Sequence, residues 1–333
     1  MMAQFKDIIG HEKIIDHFQT AMKTGQVSHA YILEGEIGSG KKMLASAFAK
    51  ALQCEGGQEE SCGTCHSCMM ADSNNHPDII WVTHEKPATI SVADIRTQIN
   101  GDIGIKPYSG KYKIYIVDQA EKMNEQAQNA LLKTIEEPTA YAVIILLASN
   151  TGRFLPTILS RCITFSLKPV EEEKIVEYVM AHTALSRPEA EFCAGYSMGN
   201  LGKAMLLATS ELRMEMKKEC VHFLSYIHEM EIYEVIGYIK EVGKYKDEII
   251  EFLDMLMIWF HDILVIKTTR TPDRVVFKEY YGTLDKMAVQ MSYEQIQEIL
   301  YAFDKVKNRL RANVNFDVAL ELLLLTIKEN IIW

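Results

Sequence analysis

The chain has 333 residues, of which 48% are hydrophobic, and a formal net charge of −10. That length suits two or three domains, and that composition excludes intrinsic disorder. A free-standing nucleic-acid binder usually carries a basic excess, so either this chain does not grip DNA alone or a local patch does so inside a larger assembly.

No run of about 18 apolar residues is present, so no membrane span is expected. The segment from Met1 to Asp7 has no basic region leading into an apolar core, so no secretory signal is expected and a cytoplasmic location is.

In chain order, Ile14, Ile15, Phe18, Ala21 and Met22 form a helical stripe. Tyr31-Ile32-Leu33 is a short apolar run that ends at Gly35. Met43, Leu44, Ala47, Phe48 and Leu52 then recur at helical spacing. Buried-strand candidates follow at Ile79–Val82, Ile114–Val117 and Val143–Leu147, with a further one at Ile163–Phe165. Continuous apolar runs separated by helices predict a parallel five-stranded sheet covered on both faces.

Beyond Pro169 strand candidates nearly vanish and helical stripes dominate. Ser292 with Gln295 forms a capping box, opening a helix that carries Ile296, Ile299, Leu300, Phe303, Val306 and Leu310 on one face. Asn315 is placed to cap the last helix, whose stripe is Phe316, Ala319, Leu320, Leu323, Leu324 and Ile327. A stripe so apolar needs a partner surface, and most of it is expected to pack inside its own bundle.

Gly35-Glu36-Ile37-Gly38-Ser39-Gly40-Lys41-Lys42 follows a strand and opens a helix, the context a P-loop requires. Gly35, Gly38 and Gly40 let backbone N–H groups face phosphate, and Lys41 reaches the outer phosphates. The next position normally holds a Ser or Thr that ligates Mg²⁺. Here it is Lys42, which cannot ligate a cation. Two like unit charges about 4 Å apart repel by roughly 4 kcal/mol at an effective dielectric of 20, and a divalent ion doubles that. Asp118, at the end of the Ile114–Val117 strand, is placed to hold a metal-bound water, but the residue after it is Gln119. Glutamine orients a water and cannot take its proton, so the general base is lost. Mg²⁺ is therefore not expected, and nucleotide binding without efficient turnover is left open.

Cys54, Cys62, Cys65 and Cys68 lie within one short segment. A disulfide framework is not expected in a chain of this kind, and clustering points to metal. Four thiolates suit tetrahedral, structural Zn²⁺. Unconnected thiols, an iron–sulfur cluster and a substitute ligand at His66 are the alternatives. Gly56, Gly57 and Gly63 provide tight turns around the cluster.

Several blocks together resemble the clamp-loader branch of the AAA+ ATPases. They are Ile8-Ile9-Gly10-His11, Ser28-His29-Ala30-Tyr31, the cysteine insertion after the P-loop helix, Asn129–Pro138, Leu159-Ser160-Arg161-Cys162, and Asn313-Val314-Asn315 before the last helix. The resemblance spans essentially the whole chain. It implies a P-loop-like domain over residues 1–167 with a zinc-binding insertion at 54–68, a helical lid domain over 168–208, and an all-α collar domain over 209–333.

Departures from the pattern set the chain apart from the gamma/tau motors of that family. Lys42 and Gln119 are two of them. The third is Gly202, which stands where the motors carry an arginine; Lys203 beside it points about 100° away on a helix. The resemblance makes Arg161 an arginine finger acting in trans on the ATP of a neighbouring motor subunit, since a planar, permanently charged group suits a phosphoryl transition state. Ser149 or Asn150 resembles the phosphate-sensing position.

The implied role is a non-hydrolysing subunit of the DNA-directed DNA polymerase III holoenzyme. It would sit in a hetero-pentamer with gamma/tau and delta, meeting the sliding clamp and primed DNA through the assembly. The rival readings are an active gamma/tau-like motor and a zinc-dependent DNA-binding regulator.

Overall fold

The computed structural model describes residues 3–331 except Gln58; Met1, Met2, Gln58, Ile332 and Trp333, and with Met1 and Met2 part of the leader expectation, lie outside the described residues. The described chain divides into two compact units. One runs to Glu171 and includes Asn200–Gly202; the other comprises Glu172–Gly199 and the chain from Lys203 onward.

The first unit contains α1 (Glu12–Thr24), β1 (Ala30–Glu34), α2 (Lys41–Leu52), α3 (His66–Asp72), β2 (Ile79–Val82), α4 (Val92–Ile95), β3 (Lys113–Val117), α5 (Glu125–Glu136), β4 (Ala142–Ala148), α6 (Pro156–Leu159) and β5 (Ile163–Ser166). The sheet order is β2-β3-β4-β1-β5, and every pairing is parallel. After β1 the chain crosses to the far edge, steps back through β2, β3 and β4, and returns outside β1 with β5.

The expected two-sided burial is present, and the pleat explains it. Successive strand residues face opposite sides, so Tyr31, Leu33, Ile114, Ile116, Val143, Ile145 and Leu147 pack with Phe18, Leu44 and Phe48 from α1 and α2. The alternate residues Ala30, Ile32, Tyr115, Val117, Ile144 and Leu146 pack with Ile95, Ala127 and Leu131 from α4 and α5. β5 pairs only with β1 and is largely exposed, which is why its run, interrupted by Thr164, is the least apolar of the five. Phe18 stacks on Phe48 at 3.9 Å between ring centroids, fixing α1 against α2.

This topology brings the carboxyl ends of β1, β3 and β4 side by side. Open parallel sheets bind ligands outside those ends, and the glycine loop, Asp118 and Ser149 follow directly from the three strands.

The second unit is helical: α7 (Glu172–His182), α8 (Arg187–Ser197), α9 (Leu201–Ala208, whose first two residues belong to the first unit), α10 (Glu211–Tyr226), α11 (Ile232–Val242), α12 (Ile249–Thr269), α13 (Tyr281–Gln290), α14 (Tyr293–Arg311) and α15 (Phe316–Asn330). α12 packs against α10, α13 and α14, and α15 against α11 and α14. In α15, Ala319, Leu320, Leu323, Leu324 and Ile327 are buried, so most of its stripe is consumed within the bundle. Val318 and Leu322 remain exposed on its other side. No helix among the described residues is long and apolar enough to cross a membrane.

Candidate functional site

The glycine loop adopts conformations that side chains oppose. Gly38 has φ +90° and Gly40 φ +98°, the left-handed region where a Cβ is costly. Gly35 lies close to its surroundings instead: a Cβ there would be 3.1 Å from Leu167 and nearer still to Ser39. Gly40 caps α2, so Lys41 stands at the positive end of that helix. The residue is almost buried, and its ammonium donates to the carbonyl oxygens of Gly35 and Glu36, the latter at 2.8 Å. Burial lowers the Lys41 pKa, against the opposing pull of Glu121 and Asp118.

The loop borders a cavity of about 350 Å³ lined by Gly38, Gly40, Lys41, Lys42, Asp118, Gln119, Glu121, Ser149 and Gly202, among others. Lys42 does not swing away from the acid at the end of β3. Its Nζ lies 2.7 Å from Asp118 Oδ2, so the carboxylate that a metal site would use already holds an internal cation. Mg²⁺ does not fit this donor set: the hydroxyl ligand is absent, and a lysine ammonium occupies the acid.

Gln119 adopts φ 51°, ψ 44°. This left-handed turn sends the next acid, Glu121, into the cavity. Ser149 Oγ donates to Glu121 Oε1 at 2.5 Å, and Glu121 Oε2 is buried without a hydrogen-bond partner. Ser149 therefore lines the cavity, whereas Asn150 turns aside to accept from the Gly152 N–H at 2.7 Å. Sequence reasoning missed Glu121; its signal was an acid three residues past Asp118, made meaningful only by the Gln119 turn.

Gly202 was legible only as a departure from a motif, and Asn200 was not singled out by the sequence. Asn200 Nδ2 donates to Ile37 O at 2.9 Å, and Gly202 N–H to Gly38 O at 3.0 Å. A Cβ on Gly202 would lie 2.5 Å from Gly38 O. Glycine stands there because backbone meets backbone, and no larger residue fits this approach.

The sulfurs of Cys54, Cys62, Cys65 and Cys68 all lie within 4.8 Å of one another. Backbone N–H groups already point at them: Cys62 N–H to Cys54 Sγ at 3.2 Å, Cys65 N–H to Cys62 Sγ at 3.4 Å, and Cys68 N–H to Cys65 Sγ at 3.4 Å. Such donors favour thiolates. The N–H groups of Thr64 and Cys65 draw Cys62 down to about 6, whereas burial pushes Cys68 up. Four converging sulfurs could bind a structural zinc, whose Zn–S bonds are about 2.3 Å. His66 is exposed and stands outside this set. Gly63 has φ +73°, and a Cβ on Gly57 would meet the Glu60 carbonyl. Gly56 has open space at its Cβ position and no left-handed φ, so only two of the three glycines expected to shape the turns are required there.

Behind the cluster, Ser67 Oγ lies 2.9 Å from His76 Nε2, and His76 Nδ1 accepts from the Asp78 N–H at 3.1 Å. Nδ1 is thus the acceptor and Nε2 the donor in the neutral ring. The Asp78 carboxylate accepts from the N–H groups of Tyr108, Ser109 and Gly110, not from His76. This buried trio is scaffolding, not a nucleophile relay.

Arg161 follows α6 and does not line the cavity. Its Nη1 donates to Thr157 O at 3.1 Å and Ser160 Oγ at 3.2 Å, and its Nη2 pairs with Glu136 at 3.0 Å. The guanidinium is about 40% exposed, resting on its own surface.

Comparison with known proteins adds the following. A family model described as "DNA polymerase III, delta subunit" matches residues 10–171, and one described as "DNA polymerase III, delta subunit, C terminal" matches residues 225–329. The chain is 26% identical to DNA polymerase III subunit delta' of Bacillus subtilis, over 95% of this chain and 96% of that protein. It is 34% identical to the tau/gamma subunit of Haemophilus influenzae over 54% of this chain and 25% of that protein. Among solved structures, a gamma subunit-related protein of Thermotoga maritima aligns over 95% of this chain and 99% of its own, with 18% identity and a TM-score of 0.47.

Proposed function

Because the chain belongs to the clamp-loader subunits of DNA polymerase III, we propose that it is the non-hydrolysing, delta-prime-type member of that assembly. The observation that carries this reading is the ion pair between Lys42 and Asp118 at 2.7 Å. A hydrolysing site needs that acid for its metal and a base beside it; here the acid is neutralised and the base is Gln119.

The chain's own residues then act elsewhere. Arg161 stands outside its own cavity with half-exposed N–H groups, which suits delivery to the nucleotide of an adjacent gamma/tau subunit. There it would stabilise charge developing on the transferred phosphoryl group. The Glu136 carboxylate holds the guanidinium in the meantime.

Under the same reading, Cys54, Cys62, Cys65 and Cys68 hold one structural Zn²⁺. Residues 1–167, 168–208 and 209–333 form the P-loop-like, lid and collar domains. The chain joins gamma/tau and delta in a cytoplasmic hetero-pentamer and meets the sliding clamp and primed DNA through it.

The test is ATP turnover, first by the isolated chain and then by a reconstituted loader. Negligible turnover alone, with loading lost on Arg161→Ala in an intact ring, supports the reading. Steady Mg²⁺-dependent turnover by the isolated chain would instead favour a gamma/tau-like motor, the reading to which the 34% identity over 54% of this chain lends weight.

A further inference from the structure

Residues 4–11 form a strap that begins on the loop carrying Cys62. Gln4 Nε2 donates to Ser61 O at 2.6 Å and to Ser61 Oγ at 3.3 Å. The Lys6 N–H donates to Glu60 Oε2 at 3.2 Å, and the same carboxylate accepts from the Ser61 N–H at 2.8 Å. Gly63 lies against Gln4, since a Cβ there would be 3.2 Å from Gln4 Nε2. The strap is therefore held by the residues that flank Cys62. It continues through Phe5, which is buried and stacks with Phe18 at 6.3 Å between ring centroids. It ends at Gly10 and His11, which are left-handed at φ +76° and +62°. A non-glycine residue keeps that conformation only where its surroundings hold it, and His11 Nε2 lies 3.1 Å from Ser39 O of the glycine loop.

We infer that the strap and residues 60–63 form a redox-sensitive latch, which opens when a peroxide joins Cys62 to a neighbouring sulfur. Of the seven cysteines only Cys62 is exposed, and the sulfurs of Cys54, Cys65 and Cys68 all lie within 4.8 Å of its own. In the first step the Cys62 thiolate attacks one oxygen of hydrogen peroxide; an S–O bond forms, the O–O bond breaks and hydroxide leaves. In the second the thiolate of Cys54 or Cys65 attacks the Cys62 sulfur; an S–S bond forms, the S–O bond breaks and a second hydroxide leaves. The two sulfurs give up two electrons and the peroxide takes them. A disulfide needs about 2.05 Å between its sulfurs, so closing it draws Cys62 inward. The far side of the segment is anchored: Lys50 pairs with Asp72 of α3 at 2.8 Å, and Ser67 Oγ lies 2.9 Å from His76 Nε2. The exposed loop moves instead, and Ser61 O and the Glu60 carboxylate move with it, away from Gln4 and Lys6. Zinc, when bound, supplies the charge that keeps four thiolates together, and the two left after oxidation are too few to retain it. The proposal extends the reading of the four cysteines as one metal site, a reading that the zinc content of untreated protein tests by itself.

The experiment treats the full chain with equimolar hydrogen peroxide, maps disulfides by mass spectrometry and follows amide hydrogen exchange. The expected product is a disulfide that contains Cys62 and is reversed by dithiothreitol. Exchange of the Lys6 amide should rise by about tenfold or more, the factor of one lost hydrogen bond to a charged group, while β4 stays protected. Gln4→Ala loosens the strap without touching a sulfur. It should form the same disulfide, yet its Lys6 amide should exchange fast already in the reduced protein and gain little on oxidation. Cys62→Ser should leave the strap insensitive to peroxide, and Gln4→Ala keeps the test decisive if that variant misfolds. Unchanged Lys6 exchange once the Cys62 disulfide has formed, oxidation of another cysteine before Cys62, or an equal loss of protection in β4 would overturn the inference.

Discussion

At residue scale, the backbone approach at Gly202 has a measurable consequence. A Cβ placed there meets Gly38 O at 2.5 Å, and a backbone oxygen cannot swing aside like a flexible side chain. Gly202→Ala should destabilise the first unit by about 1–3 kcal/mol, as overpacking generally does, read as a lower urea midpoint at unchanged slope. Gly202→Arg, which would restore the motor residue, should be worse. The double change Lys42→Ser with Gln119→Glu should therefore recover at most weak ATP turnover, because the third missing group cannot be rebuilt at that position.

His76 gives a pH prediction. Burial lowers its pKa below the ordinary imidazole value of 6.5, so the unfolded chain binds the proton more readily than the folded one. Stability is then fully present above about 6.5 and is lost as pH falls below it, with a slope of up to about 1.4 kcal/mol per pH unit for one proton. His11 is shifted in the same direction, also by burial. Denaturant midpoints between pH 7 and 5 should fall less steeply in His76→Gln; an unchanged slope would remove His76 from the account. By contrast, the Arg161–Glu136 pair is about 40% exposed on both sides and contributes about 0–1 kcal/mol. Arg161→Ala and Glu136→Ala should melt with the unmodified chain. In a reconstituted loader, Arg161→Ala should slow one interface by about 10³–10⁵, the value of such fingers elsewhere, so total ATPase falls only in part. Arg161→Lys should be nearly as damaging, since an ammonium lacks the bidentate fork.

At element scale, caps position the two helices that close the bundle. Ser292 Oγ accepts from the Gln295 N–H at 3.2 Å while Gln295 Oε1 accepts from the Ser292 N–H at 2.7 Å. Asn315 Oδ1 accepts from the Val318 N–H at 3.1 Å. Ser292→Ala and Asn315→Ala should each cost about 1 kcal/mol, a typical cap, measured by chemical denaturation. α14 and α15 pack on each other, yet each cap serves only its own first turn, so the two costs should nearly add. The sheet shows the converse dependence. β4 is buried along its whole length because it lies between β3 and β1, whereas β5 owes its exposure to its edge position.

At the scale of the whole molecule, the cysteine segment is small and loop-rich, with four converging sulfurs and little apolar core. Cys68 is buried, Cys54 and Cys65 are partly so, and Cys62 is exposed. Protein purified without chelator should contain about one zinc per chain, the stoichiometry of a four-thiolate site, by elemental analysis. Chelation should loosen the segment around residues 54–68 in hydrogen exchange while leaving the sheet protected, because the sheet has its own two-faced core. Zinc-free protein with unchanged protection there would refute a structural metal.

The sequence alone determined the five strands, the helices α1, α2, α14 and α15 and the helical character beyond Pro169, because apolar runs such as Tyr31–Leu33 and Val143–Leu147 and the caps at Ser292 and Asn315 are local signals. It also determined the glycine loop, the cysteine cluster and the resemblance to clamp loaders, which rest on residue types at fixed spacing. Tertiary structure alone decided which strands are neighbours, and with that which loops share a cavity. It placed Ser149 rather than Asn150 beside Glu121, set Gly202 against Gly38, and joined Lys42 to Asp118 across 76 positions of chain. No periodicity encodes such pairs. They arise where the carboxyl ends of β1, β3 and β4 converge and bring groups far apart in sequence within reach of one another.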